Sequence, residues 1–265
     1  MRITLLGAGE AFDETLGNTS ALVRDESTVL LDCGYAAPFQ VWRHDGSPDL
    51  IDAIYISHAH ADHYFGLPAL LTRMWESGRK KPLALISQKP ALEQISQLLD
   101  LGYAGISKRF EFPIENIAAT PESVVTYRKF RMRFAPTIHS VTNLAVRMEA
   151  QGNTFCYSGD GMFTDESRAL FGGADLLLHE AFSFEESAVH ADIPRLIEMA
   201  EQVQVKHLVL THVQRGVRRS SLFVRRFARL YAPAIEGAAD ARQSGVDLRF
   251  VAVTTNEQRR TTPSA

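Results

Sequence analysis

The sequence predicts an α/β fold in which two β-sheets and the helices that cover them form a single layered domain. Two sets of short runs rich in β-branched residues, one in each half of the chain, are typical of strands. A helical pattern follows each set, and the later helix returns directly to a strand. At 265 residues, with 45% hydrophobic residues, the chain is long enough to bury a large core. We expect one domain over 1–255 and a flexible polar tail over 256–265.

The first half of the chain begins with four predicted strands, which are bounded by Gly, Asp and Asn. They cover 3–6, 20–23, 29–32 and 53–57. A helix is predicted over 67–76, because Pro68 suits a first helical turn and Gly78 follows the last turn. A second helix is predicted over 91–101. These elements account for the first sheet and part of its cover.

The second half carries a further set of strand-like runs. They cover 124–127, 131–135, 144–149, 154–158 and 175–178, with a turn at Gly152-Asn153. Asp192 is a predicted N-cap for a helix over 193–203, which a strand over 208–210 follows closely. A last helix is predicted over 220–230 and a last strand over 247–253. This half therefore ends as an α/β unit.

Composition and charge exclude several classes of protein. The 28 Lys and Arg nearly balance the 31 Asp and Glu, which argues against general adhesion to nucleic acid because such binding needs many phosphate contacts. No stretch approaches the roughly 18 to 20 apolar residues of a membrane span, and the N-terminus lacks a signal-peptide pattern. Cys33 and Cys156 have no CxxC spacing, so neither a disulfide framework nor a cysteine zinc finger is expected. We expect a cytoplasmic protein with no membrane partner.

Three histidines and a carboxylate occupy the six positions from His58 to His63, directly after a predicted strand. A loop that leaves a strand can direct alternate side chains inward. His58 and His60 can then reach one metal ion, while Asp62 and His63 reach a neighbouring ion. Because imidazole and carboxylate are ligands that Zn²⁺ favours, this segment predicts a metal site.

Three further candidate ligands, His139, Asp160 and His212, also follow strand-like runs. A site built at one end of a pair of sheets requires ligands in such positions. An aspartate between two metal ions can bridge them and balance their charge. With the first segment, these residues predict a centre of two divalent ions, zinc in the first place, with manganese or iron as alternatives.

These motifs, with Gly7-Ala8-Gly9, Asn18-Thr19-Ser20 and Leu31-Asp32-Cys33-Gly34, make the chain resemble the metallo-β-lactamase superfamily of hydrolases. Within it, the chain is most similar to the ribonuclease Z group of phosphodiesterases. The resemblance implies an αββα sandwich, with two mixed sheets and helices on the outer faces.

The resemblance also implies a role for each predicted ligand. His58, His60 and His139 would hold the first metal, and Asp62, His63 and His212 would hold the second. Asp160 would bridge both ions, and Asp62 would orient the bridging water or hydroxide. Homodimers are common in the superfamily, so a homodimer is expected from the resemblance alone.

Two segments favour phosphodiester chemistry. His179-Glu180-Ala181-Phe182 is similar to the HEAT motif of the ribonuclease Z group, and His190 falls where that group places a histidine beside the scissile phosphate. An imidazolium there can neutralise a phosphoryl oxygen or protonate the leaving oxygen, and Glu180 can hold it charged and oriented. The chain departs from the group at Ala191-Asp192, where Ser-Thr is usual, and at Gly161, where many relatives carry Thr. The predicted catalytic residues are Asp62, Glu180 and His190.

The spacing between His139 and Asp160 affects the choice of substrate. Ribonuclease Z proteins that process tRNA usually carry a long arm between the matching residues, and here these residues are only 21 positions apart. Relatives without the arm include small-molecule cyclic phosphodiesterases. The expected partner is therefore a phosphodiester substrate, either a small molecule or RNA.

The predicted function is a dinuclear-metal phosphodiesterase that cleaves a P–O bond by attack of a metal-bridging hydroxide. A carbonyl-directed hydrolase acting on a lactone or thioester is the alternative, since the same ligands can polarise a carbonyl. His190 and Glu180 separate the two, because carbonyl hydrolysis needs neither. A third hypothesis is a metal-retaining nucleic-acid-binding protein.

Other features have both a functional and a structural interpretation. The third hypothesis depends on a basic cluster that otherwise forms a solvated helix surface: Arg215, Arg218, Arg219, Arg225, Arg226 and Arg229. Asp32 is a candidate partner for a ligand histidine or a plain turn residue. A set of aromatic residues can line a pocket or pack in the core: Phe12, Tyr35, Tyr64, Phe65, Phe182 and Phe184.

Overall fold

The computed structural model describes residues 1–220, 222–223 and 246–247. The predicted tail, nearly all of the predicted last helix and most of the predicted last strand lie outside these residues. A two-residue strand at Val246–Asp247 overlaps the first position of that predicted strand. Within the described part, no helix has the length and apolar character needed to cross a membrane.

The first sheet has seven strands, antiparallel on one side and parallel on the other. In spatial order they are β14 (Val246–Asp247), β1 (Arg2–Gly7), β2 (Ser20–Arg24), β3 (Thr28–Leu31), β4 (Ala53–Tyr55), β5 (Leu83–Ser87) and β6 (Ile114–Ala118). The strands from β3 to β6 run parallel, so their carboxyl ends meet at one edge of the sheet.

The second sheet repeats this mixture of directions. In spatial order it contains β11 (Met162–Phe163), β8 (Phe130–Ile138), β9 (Asn143–Ala150), β10 (Asn153–Tyr157), β12 (Leu176–Glu180) and β13 (Leu208–Thr211), and β7 (Val124–Tyr127) also pairs with β8. The strands β10, β12 and β13 run parallel, and the connection from β12 to β13 passes through a helix, as parallel neighbours require.

Seven helices accompany the described strands. They are α1 (Ala37–His44), α2 (Ala61–Tyr64), α3 (Leu67–Glu76), α4 (Lys89–Gly102), α5 (Asp165–Phe171), α6 (Ile193–Gln202) and α7 (Arg215–Arg218), with a 3₁₀ turn at Ile106–Arg109. The predicted N-cap is confirmed: the Asp192 side chain accepts a hydrogen bond from the backbone N–H of Arg195. Its capping oxygen satisfies one of the free N–H groups at the start of α6.

Three apolar layers hold the elements together. Between the sheets, alternate residues of both sheets interdigitate, for example Tyr55 and Phe134, whose rings stack at 5.7 Å. On the outer face of the first sheet, α1, α3 and α4 bury residues such as Leu70. On the outer face of the second sheet, α5 and α6 bury residues such as Met199. This order of helix, sheet, sheet and helix confirms the predicted αββα sandwich.

Candidate metal centre

All seven predicted ligands lie at the same edge of the sandwich, just beyond strand ends. His58 follows β4, His139 follows β8, Asp160 follows β10 and His212 follows β13. Asp62 and His63 lie in α2, a single helical turn. The prediction of an irregular loop over this segment was therefore incomplete, because Ala61–Tyr64 is helical.

His58, His60 and His139 form the first group of candidate ligands. The Nδ1 atom of His60 lies 3.1 Å from Nε2 of His58 and 3.1 Å from Nε2 of His139. One nitrogen from each ring, all within 4.8 Å of one another, could hold a metal ion. The grouping matches the set expected for a first metal.

Asp62, His63, Asp160 and His212 form the second group, and all four are buried. The Oδ2 atom of Asp62 lies 3.2 Å from Nε2 of His63 and 3.2 Å from Nε2 of His212. One ligand atom from each residue again falls within 4.8 Å of the others. The grouping matches the set expected for a second metal.

Asp160 lies between the two groups. Its Oδ2 atom is 3.4 Å from Nε2 of both His63 and His212 in the second group. The same atom is 3.9 Å from Nε2 of both His58 and His139 in the first group. A single carboxylate that faces both sets of imidazoles has the position that a bridging ligand requires.

Asp32 orients the imidazoles from beneath the centre. Its carboxylate, fully buried, accepts hydrogen bonds from the Ser57 backbone N–H, the Ser57 hydroxyl, the Tyr157 hydroxyl and Nδ1–H of His63, each at 2.7 Å. The Ser57 hydroxyl also lies 3.0 Å from Nδ1 of His58. With Nδ1 engaged in both rings, each Nε2 lone pair is left for a metal. Of the two interpretations of Asp32, the structure favours the partner of a ligand histidine.

Sequence reasoning missed Thr137 and Asn143, which position Asp160. The buried Asn143 amide donates to Thr137 Oγ1 at 2.7 Å and to the Ser158 carbonyl at 2.8 Å, and its Oδ1 accepts from the Asp160 N–H. The Thr137 hydroxyl donates to the Asp160 carbonyl at 2.5 Å. Both residues stand inside strands, where a polar side chain on a buried position was the only available signal.

The charges in the centre suit a cation. Burial alone would raise the pKa of Asp62, but the imidazoles of His63 and His212 hold it far below its usual range. Burial is likewise outweighed at Asp160, whose pKa His212 and His63 hold well below its usual range. Burial and the neighbouring His63 keep the pKa of His58 well below its usual value, so this ring is neutral. Ionised carboxylates and the neutral His58 are in the protonation states that bind metal. The neighbouring carboxylates outweigh burial and raise the pKa of His63 and of His212, so these two rings would release a proton when a metal binds.

Three buried polar atoms of the candidate ligands also lack a hydrogen-bond partner among the described residues. They are Nε2 of His63, Oδ1 of Asp160 and Nδ1 of His212. A buried polar group without a partner costs about 1–3 kcal/mol, so such atoms need a further ligand. The residues present therefore fit divalent metal ions on their donor chemistry and on their unmet coordination.

Glu180 and His190 meet at the margin of the second group. Nδ1 of His190 lies 3.2 Å from Oε1 and 3.3 Å from Oε2 of Glu180. The fully buried Oε1 also accepts hydrogen bonds from the backbone N–H groups of Gly161 and Ala191. Burial opposes protonation of His190, but the hydrogen bond and charge of Glu180 raise its pKa. The structure therefore brings these two predicted residues into contact.

The described arginines of the basic cluster are paired with acidic side chains. Arg215 pairs with Glu10 at 2.7 Å, Arg218 pairs with Asp13, and Arg219 pairs with Glu14. These contacts join the β1–β2 loop to α7. The structural interpretation of these three residues is therefore favoured. Arg225, Arg226 and Arg229 lie outside the described residues.

Comparisons with known proteins support the same fold. The ribonuclease Z of Methanococcus maripaludis is 35% identical over 150 residues, which cover 55% of this chain and 47% of that protein. This chain thus spans about half the length of the curated relatives that match it first. The Anti-Pycsar protein Apyc1 of Paenibacillus harenae is 29% identical, covering 78% of this chain and 87% of that protein.

Solved structures share the architecture. The human tRNase Z, short form, superposes with a TM-score of 0.70 at 24% identity, covering 82% of this chain and 94% of that one. The predicted resemblance to metallo-β-lactamase-fold proteins of the ribonuclease Z type is confirmed. Residues 1–229 also match the model of a protein family that is described as Anti-Pycsar protein Apyc1. The chain therefore belongs to the Anti-Pycsar Apyc1 family of metallo-β-lactamase-fold proteins.

Proposed function

We propose that the protein is a metal-dependent phosphodiesterase that opens a cyclic nucleotide. The observation that carries the proposal is the placement of the Glu180–His190 pair beside all seven candidate metal ligands. The His190 ring centroid is 5.2 Å from that of His139 and 6.0 Å from that of His212, so it faces both groups of ligands. Carbonyl hydrolysis has no need of a charged imidazole in this position, whereas cleavage of a P–O bond does.

Two divalent ions, zinc with manganese or iron as alternatives, are the cofactors we propose. His58, His60 and His139 would hold one ion, Asp62, His63 and His212 the other, and Asp160 both. Bound there, the ions would activate a water molecule and neutralise charge on the phosphoryl oxygens. The second group of candidate ligands is buried and contains two carboxylates. The first group is open to solvent at His60, which is only partly buried.

The side chains of this chain complete the reaction. Asp62 orients the attacking water by accepting a hydrogen bond from it. The oxygen of that water bonds to phosphorus as the ester P–O bond breaks, and the proton that the water loses passes to solvent, from which His190 is later reprotonated. Protonated His190, held at Nδ1 by Glu180, donates the proton on Nε2 to the leaving oxygen and becomes neutral. Water and cyclic phosphodiester thus give a phosphomonoester with a free hydroxyl.

A small cyclic substrate is supported by both the family and the fold. The family match supports it because the Anti-Pycsar family degrades cyclic nucleotides. The chain from His139 to Asp160 is taken up by β9, β10 and their short turn, so no arm extends from the sheet to hold a long RNA. The homodimer implied by the resemblance stays a prediction.

His190 provides the test. We expect His190→Asn, with zinc or manganese added, to lower kcat for a 3′,5′-cyclic nucleotide by ~10²–10⁴-fold, the usual contribution of a general acid. Hydrolysis of a p-nitrophenyl ester, followed as the control, should change little in the same variant. Asp62→Ala should lose both reactions, since it removes a proposed metal ligand.

Two results would contradict the proposal. Ester turnover by the unaltered enzyme with no phosphodiester turnover would indicate a carbonyl hydrolase. Salt-sensitive RNA binding that survives Asp62→Ala, with no turnover of either substrate, would indicate a binding protein.

A further inference from the structure

Phe182 occupies the fourth position of the segment similar to the HEAT motif, where that motif has threonine. Its ring stacks on the His190 imidazole, with the ring centroids 4.4 Å apart and the planes inclined by only 18°. The ring also lies 6.3 Å from that of His212. A large aromatic side chain thus packs against the proposed proton donor at the margin of the metal centre.

Backbone hydrogen bonds hold the segment that carries Phe182. The N–H of Phe182 donates to the Ala191 carbonyl, and its own carbonyl accepts from the N–H of Gln214. These bonds join the segment after β12 to residues that follow His190 and His212 in the sequence. The backbone of Phe182 is therefore held by hydrogen bonds that do not involve the His190 side chain.

Core packing does not account for Phe182. Among the described residues, the three apolar clusters do not include it, whereas the nearby Phe184 packs against the cluster beneath α6. Phe182 is only partly buried. Its closest aromatic contact is the face of His190.

We propose that Phe182 is a positioning residue that holds the His190 ring plane for proton donation, a role that depends on the proposed phosphodiesterase function. The contact of Glu180 with Nδ1 is long and shared between two oxygens, so it leaves the imidazole free to tilt about that edge. A flat ring against one face removes this freedom. The negative face of the aromatic ring also attracts an imidazolium. Nε2, on the opposite edge, then points steadily at the leaving oxygen.

The proposal predicts a dependence on the leaving group. A ribose alkoxide must receive a proton as its bond to phosphorus breaks, whereas p-nitrophenolate leaves as a stable anion. Loss of the Phe182 ring should therefore slow opening of a cyclic nucleotide and spare cleavage of bis-p-nitrophenyl phosphate. The metal-binding side chains are unchanged, so substrate affinity should be retained.

The experiment compares Phe182→Leu, Phe182→Tyr and the matched control Phe184→Leu in the metal-loaded enzyme, measuring kcat and KM for both substrates. We expect Phe182→Leu to lower kcat for the cyclic nucleotide by ~10–100-fold, as a misplaced catalytic group does, with KM nearly unchanged. Its kcat for bis-p-nitrophenyl phosphate should stay close to that of the unaltered enzyme. Phe182→Tyr should restore turnover, and Phe184→Leu should affect both substrates alike if it has any effect.

Other outcomes would overturn the positioning role. Equal losses on both substrates would indicate general damage to the centre, and a raised KM with unchanged kcat would show that Phe182 contacts substrate. Both outcomes leave the proposed function intact, because the unaltered enzyme still cleaves phosphodiesters. If the unaltered, metal-loaded enzyme cleaves neither substrate, the proposed function fails and the role of Phe182 fails with it.

Discussion

The buried carboxylate of Asp32 accepts four hydrogen bonds beneath the candidate metal centre. It adopts a left-handed backbone conformation, with φ of 52°, which aspartate tolerates better than most residues. In this conformation the chain turns beneath the centre after β3 and presents the carboxylate to donors from both sheets, Ser57 from the first and Tyr157 from the second. The orientation of the ligand imidazoles therefore depends on a residue that we do not expect to touch a metal.

Replacement of this carboxylate should weaken metal binding. Asp32→Ala leaves the Nδ1 atom of His63 without its acceptor, and loss of such a partner typically lowers metal affinity ~10–100-fold. A zinc titration against a chromophoric chelator measures the change. Tyr157→Phe is the matched control, since it removes one donor and keeps the carboxylate, and it should bind zinc nearly as well as the unaltered protein. Unchanged affinity in Asp32→Ala would contradict this role.

At the scale of elements, the turn between β10 and β11 joins the two parts of the candidate site. Gly161 has φ of 109°, and its N–H donates to Glu180 while the preceding Asp160 faces the imidazoles. A Cβ atom at this position would lie 2.5 Å from the Ile138 carbonyl oxygen and 2.6 Å from Thr137 Oγ1. The departure from threonine found in many relatives thus has a local reason: this turn has no space for a side chain.

We therefore expect Gly161→Ala to destabilise the protein by more than the roughly 1–2 kcal/mol that a left-handed backbone costs an alanine. The added clash with backbone accounts for the excess. Urea unfolding gives the free energy, and the control is Gly173→Ala, where φ is 64° and a Cβ would meet no atom within 4 Å. Similar losses in the two variants would show that the clash is relieved by movement of the turn.

At the scale of the whole molecule, metal should act as a stabilising ligand. Zinc at ~100 times its dissociation constant should raise the free energy of unfolding by ~2.7 kcal/mol for each site, because it binds the folded state alone. Thermal unfolding with zinc and then with a chelator measures the shift in Tm. His63→Ala, which removes a proposed ligand of one site only, should lose about half of this shift. A Tm that is independent of metal in the unaltered protein would argue against a metal centre.

The sequence predicted the fold and the site to different depths. The helix over 67–76 and the strand over 124–127 were placed with the bounds that the structure has. Strands β5 and β6 and helices α1 and α5 were missed. The segment Leu83–Ser87 is buried at every residue and so lacks an alternating pattern, whereas Ile114–Ala118 has only partly buried and exposed residues.

The predicted ligands converge because each follows a strand, and the ends of these strands meet at one edge of the sandwich. The order of strands and ligands along the sequence was enough to predict this. The hydrogen bonds that position Asp160 could not be predicted in the same way. Asn143 and Thr137 come close to Asp160 only when their strands pair in the folded protein, and the residues next to them in the sequence give no sign of this contact. The sequence placed Phe182 only in a set of aromatic residues that can line a pocket or pack in the core. Its stacking on His190 depends on tertiary structure, which the sequence pattern does not show.

The distribution of ligands also bears on how the chain folds. Asp62 and His212 approach within 3.2 Å although 150 positions separate them in the sequence. Contacts between residues so far apart in the sequence form late and slow folding. A metal ion held by both residues closes a loop of that length, and the chain-entropy model for cross-links assigns on the order of 5 kcal/mol to such a closure. Unfolding the first sheet from the second would then require release of the ion, so a metal-loaded centre would also resist separation of the two halves.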